Sequence, residues 1–163
     1  MKNSKMIFSV LMLVGVICAG VGLALNAWDY LIAGNVSAGY GFFESWDGLN
    51  ALAVGANGTW ATITMIAFLV AFAALVACLI CVLMNTLGVL KGVNGIVKIL
   101  AVVGLIAIIA MLAFAIVFVV LTDATTTIGN TTIVNGFRFG IGFWLAFAGS
   151  LFAALMAFLA AKK

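Results

Sequence analysis

The sequence contains no histidine and no proline. The first absence removes the side chain that most often moves protons near neutral pH and binds metals. The second removes the usual helix breaker. Charge is scarce as well: 7% of the 163 residues are charged, against about 25% in a water-soluble domain. Cysteine is limited to Cys18, Cys78 and Cys81. Cys78 and Cys81 have redox-pair spacing, but two thiols without histidine fall short of the four ligands of structural zinc. They are expected to be small, reduced packing residues, and no cofactor or metal is expected.

What the chain has is apolar surface. Hydrophobic residues make up 67% of it, well above the roughly 45–50% of a soluble domain. So little charge cannot cover so much apolar surface in water, so the solvent must be lipid. Four uninterrupted apolar runs occur at about 6–25, 61–84, 99–121 and 140–161. Each is near the roughly 20 residues that span about 30 Å of hydrocarbon, and none holds a charged residue. The expected fold is all-α and transmembrane, a single four-helix bundle over 1–163 with no separate soluble domain. The first run is longer than a signal-peptide core, with no small-x-small cleavage site after it, so it is expected to be retained.

The few charges orient the bundle. Lys2, Lys5, Lys91, Lys98, Lys162 and Lys163 flank the runs on one side, while Asp29, Glu44, Asp47, Asp123 and Arg138 lie in the other two connections. The positive-inside rule puts the lysines, and both termini, in the cytoplasm. The expected location is the plasma membrane. The outer connections are then about 26–60 and 122–139.

The first outer loop is the longest connection and holds Trp28, Tyr30, Tyr40, Phe42, Phe43, Trp46 and Trp60. Its 36–46 segment is aromatic and glycine-punctuated, which suits strand pairing; alternatively, 46–54 forms a short helix. In the second loop, β-branched runs at 125–128 and 131–134 flank Gly129-Asn130, a hairpin signal. These features predict a small extracellular antiparallel sheet, built mainly by the first loop and joined by the second. Trp28, Trp60 and Trp144 lie near span ends, where an interfacial aromatic belt is expected.

Small residues mark helix seams. Gly15, Ala19, Gly22 and Asn26 line one face of the first span, and Ala67, Ala71, Ala74, Cys78 and Cys81 one face of the second. Gly149, Ala153, Ala157 and Ala161 form a ridge on the fourth, suited to close backbone approach. The ridge serves either packing within the bundle or pairing with a second copy. Asn35, Asn57 and Asn130 each begin an Asn-x-Ser/Thr triplet on the outer side. The triplets fit glycosylation, or simply the polar composition of loops.

Catalytic groups are few. Asp29, Glu44, Asp47 and Asp123 read as solvated loop carboxylates whose summed field would attract cations to the outer surface. An enzyme is not expected, and nothing indicates a nucleic acid or a soluble substrate. Trp28 followed by Trp46-Asp47-Gly48-Leu49 resembles the first extracellular loop of the claudin and peripheral myelin protein superfamily. The four-span order and the long first, shorter second outer loop resemble it too. The chain departs from that pattern at Asn50, where claudins carry tryptophan, in having no cysteine pair in the loop, and in its Ala161-Lys162-Lys163 tail. The resemblance implies a claudin-like fold acting through its outer loops, by lateral self-assembly or cell-surface adhesion within the lipid bilayer. Trp46, Asp47, Gly48 and Leu49 would then anchor the sheet, with Phe42 and Phe43 as contact residues. The alternative is a subunit of an oligomeric cation channel or transport complex, with the outer acids along the path.

Overall fold

The computed structural model describes residues 2–33, 35–43, 58–128 and 131–162. Its helices are α1 (Lys2–Ala24), α2 (Gly58–Thr86), α3 (Asn94–Thr122) and α4 (Ile141–Lys162). All four are long and apolar enough to cross a membrane. The helices match the apolar runs to within a residue or extend past them, because the end of an apolar run does not end a helix; a local stop signal does. For α2 that signal is Gly88 at φ +80°. The Gly88 amide donates to the Asn85 carbonyl at 3.2 Å and the Val89 amide to the Met84 carbonyl at 3.0 Å, a glycine-terminated cap that satisfies the last free carbonyls.

Several hydroxyls within the helices are satisfied by the helix's own backbone. Ser9, Thr64, Thr86 and Thr122 donate to the carbonyls of Lys5, Trp60, Val82 and Phe118, each four residues back. The Ser150 hydroxyl, fully buried in α4, has no partner among the described residues.

The helices pack in a ring in which α1 lies mainly against α4 and α2 mainly against α3. The α1–α4 contact is backbone on backbone. A Cβ added at Gly22 would lie 2.5 Å from the Ala146 amide nitrogen, and one at Gly149 2.6 Å from that of Ala19. One at Gly15 would lie 2.8 Å from the Gly149 carbonyl oxygen. The seam of α1 thus receives the glycine-alanine ridge of α4. Gly149 and Ala153 meet α1, and Ala157 and Ala161 are buried too. That leaves the ridge closed to a second copy. In α2, Ala71, Ala74 and Cys78 are buried while Ala67 and Cys81 are half-buried.

At the end of the bundle opposite the lysines, β1 (Asn26–Ile32), β2 (Asn35–Gly41), β3 (Ala124–Ile128) and β4 (Thr131–Phe139) form an antiparallel sheet. The order is β2-β1-β4-β3. Among the described residues the two connections contribute two strands each; the expectation that the first contributes most also concerns 44–57, which lie outside the described residues. Within 36–46 the strand stops at Gly41, and β1 is an additional strand directly beyond α1. The β3–β4 hairpin matches the β-branched runs, with Thr126 opposite Ile133. β4 serves two neighbours in succession: its first part pairs with β3, and 136–139 pair with β1. At the changeover, a Cβ on Gly136 would press within 3.0 Å of the Thr122 carbonyl oxygen.

The core divides accordingly. Toward the lysine end it is aliphatic, with Met12, Leu75, Val97, Ile108 and buried alanines. Toward the sheet it is aromatic, built on Trp28, Phe42, Phe68, Phe118, Phe137 and Phe143.

Candidate functional site: the sheet over the bundle

Side chains alternate across a strand, so Trp28 and Tyr30 of β1 share a face. Trp28 is fully buried. Its ring meets Phe118 edge-on at 4.7 Å between centroids and lies 5.8 Å from Phe143. Tyr30 packs on Phe137 at 5.0 Å, and Phe139 stacks on Phe143 at 4.5 Å. The sheet is therefore bonded to the helix ends by a continuous aromatic layer. Trp28 belongs to that layer rather than to an interfacial belt, a correction to the expectation. Trp144, half outside, and Trp60, half-buried against Phe114 at 5.9 Å, keep positions compatible with a belt.

The two candidate contact residues separate sharply. Phe42 is 0% exposed and stacks on Phe68 at 5.0 Å with the rings 16° apart. It is a core residue, and its assignment as a contact is withdrawn: adjacent residues leaving β2 point opposite ways, and the inward one fills the bundle mouth. Phe43 is 57% exposed.

The charged groups are also partly spoken for. Arg138 Nη2 lies 3.2 Å and 3.3 Å from the two Asp123 carboxylate oxygens, and its Nη1 donates to the Phe137 carbonyl at 2.9 Å. Asp29 stands opposite Arg138 in the β1–β4 register. Asp123 is thus neutralised locally, which removes it from the set of free cation-attracting groups. The pair is partly exposed, so its stabilisation is modest, about 0–1 kcal/mol. Glu44, Trp46, Asp47, Gly48 and Leu49 lie outside the described residues.

The β1–β2 hairpin turns through Ala33, whose φ of +52° is left-handed. Its amide donates to Asn135 Oδ1 at 3.0 Å, which fastens the turn to β4 across the sheet. Held this way, the hairpin presents Ile32, Val36 and, just beyond β2, Phe43 to the outside, each more than half exposed. Behind Phe43, a cavity of about 180 Å³ opens between Leu23, Ala24, Asn26 and Gly41. β2 forms one margin of the described sheet. Asn35, the first residue of β2, is exposed; Asn57 and Asn130 lie outside the described residues.

Chemistry of other kinds is thin. Cys18, Cys78 and Cys81 are free thiols, and Cys78 Sγ contacts the Val97 carbonyl at 3.5 Å, consistent with a packing role. Among the described residues no three metal-binding side chains cluster. The aromatics that sequence reasoning missed include Phe68, Phe118, Phe137, Phe139 and Phe143. The alternation Phe137-Arg138-Phe139 was the available signal, a strand with its charge on one face and its rings on the other. In comparisons with known proteins, no family model matches the chain, and neither a curated protein nor a solved structure matches it significantly.

Proposed function

We propose that this chain is a four-span protein of the plasma membrane, with both termini cytoplasmic and the sheet outside. It acts by lateral self-assembly or cell-surface adhesion rather than by catalysis. The observation that carries the reading is the hairpin at the margin of the described sheet, where Ile32, Val36 and, just beyond β2, Phe43 are exposed while Trp28 and Phe42 are buried. A pinned apolar surface at a sheet margin is the feature that soluble proteins avoid and that assembling ones use. The lysine asymmetry supports the orientation. The resemblance of Trp28 and Trp46-Asp47-Gly48-Leu49 to the claudin and peripheral myelin protein first loop supports the same mode of action.

Cross-linking in native membranes tests it. Discrete oligomers are expected from the wild type, lost in a Val36→Thr/Phe43→Ser double variant whose melting temperature is unchanged. Monomer alone in the wild type would refute self-assembly. Orientation is tested separately with a membrane-impermeant amine reagent on intact cells, from which Lys91 should be protected until the membrane is opened.

A further inference from the structure

The lysine end of the bundle carries an apolar turn that the fold does not bury. Between α2 and α3 the chain passes through Gly88 (φ +80°) and Gly92 (φ +76°), both left-handed. Asn85 Nδ2 donates to Asn94 Oδ1 across the base of the turn at 3.2 Å. Val93 turns inward, while Leu87 is 74% exposed, and Val89 and Leu90 are exposed beside it. The glycine cap and the asparagine bridge hold these side chains out as a fixed feature of the surface.

Charge surrounds them. Lys91 and Lys98 are exposed, and Lys5 of α1 and Lys162 of α4 belong to the same end. The described acids, Asp29 and Asp123, both stand at the sheet end. Depth follows from length: α2 and α3 have 29 residues each, a rise of about 43 Å. That matches the roughly 40–45 Å of a bilayer including its headgroups, so the turn sits in a headgroup layer. Apolar side chains there meet the upper acyl and glycerol region, and the adjacent ammonium groups meet phosphate.

We propose that the 87–93 turn, with Lys91 and Lys98, is a docking surface for anionic phospholipid. The complement of an apolar tip beside cations that have no ion pair among the described residues is a molecule with an acyl chain under a negative headgroup, and the lysine excess selects the anionic species. The inference rests on the membrane-spanning reading of the helices but not on assembly through the sheet, which a separate experiment tests. Each juxtamembrane lysine changes binding to an anionic surface by about fivefold.

The test is native mass spectrometry of the full chain in neutral detergent, titrated with dioleoyl phosphatidylglycerol or dioleoyl phosphatidylcholine. The anionic lipid is expected to bind more tightly. Lys91→Gln/Lys98→Gln should weaken it by about 25-fold, fivefold for each lysine, toward the zwitterionic lipid, and Leu87→Ser/Leu90→Ser should weaken both lipids. Inorganic phosphate at millimolar concentration should displace neither. Equal binding of the two lipids by the wild type would overturn the proposal, as would anionic binding unchanged in Lys91→Gln/Lys98→Gln. Displacement by phosphate alone would assign the surface to a free anion. Dimers abolished by Leu87→Ser/Leu90→Ser, without lipid preference, would assign it to a second copy.

Discussion

Substituting Gly149 by alanine probes the backbone contact between α1 and α4. The added carbon would lie 2.6 Å from the Ala19 amide nitrogen and 2.7 Å from the Gly15 carbonyl oxygen, where ordinary contact begins at 3.4 Å. Backbone atoms cannot swing aside as a side chain can, so α1 and α4 must part by about 0.8 Å, the shortfall between 2.6 and 3.4 Å. Parting there also loosens the neighbouring contacts at Gly15 and Gly22. Overpacking of this kind costs about 1–3 kcal/mol, while alanine in a helix regains about 0.5–1 kcal/mol over glycine. The net expectation is destabilisation by about 1–2 kcal/mol. Gly20→Ala is the matched control, because its new carbon would meet Phe72 at 3.7 Å, an ordinary contact; it should be neutral or slightly stabilising. Reversible unfolding by dodecyl sulfate in mixed micelles, followed by tryptophan fluorescence, reads the difference. Identical midpoints for the two variants would refute the backbone-contact account of the α1–α4 seam.

Phe42→Ala should cost about 3–5 kcal/mol, as for other large buried rings, while Phe43→Ala should leave the same unfolding midpoint untouched. Equal effects would break the inward-outward assignment of this pair. Ser150→Ala removes a buried hydroxyl with no partner among the described residues, a group that costs about 1–3 kcal/mol to bury; the variant should unfold later than the wild type, and earlier unfolding would reveal an acceptor. With all three cysteines free, a thiol reductant should leave the melting temperature unchanged and denatured protein should take up three equivalents of an alkylating reagent, whereas a reductant-sensitive melt would indicate a disulfide.

The spans were legible because an unbroken apolar run is itself the physical cause of a membrane helix, and the seam of Gly15, Ala19 and Gly22 because small residues are what permit close approach. The β3–β4 hairpin showed in its threonines, since turn and strand signals there are local. The pairing of β1 with β4 is not local: it joins residues near 30 to residues near 137, and nothing in either segment names the other. β1 escaped because Trp28 and Tyr30 suit a water–lipid boundary as well as a strand, and only the position of Phe118 and Phe143 decides between them. The Phe42–Phe43 pair was ambiguous for a related reason. Two equal side chains in sequence face opposite ways, and a shift of one residue in register exchanges them.

The Gly140 amide donates to the Ala27 carbonyl at 2.8 Å, carrying the α1–α4 contact without a break into the β1–β4 pairing. The α1–β1 and β4–α4 segments therefore close against each other from the helix seam into the sheet. During synthesis α1 is made long before α4, with a groove of bare backbone along one side. The α1–α4 seam closes only once α4 has been made, and a chain cut short before Ile141 is left with that groove unfilled.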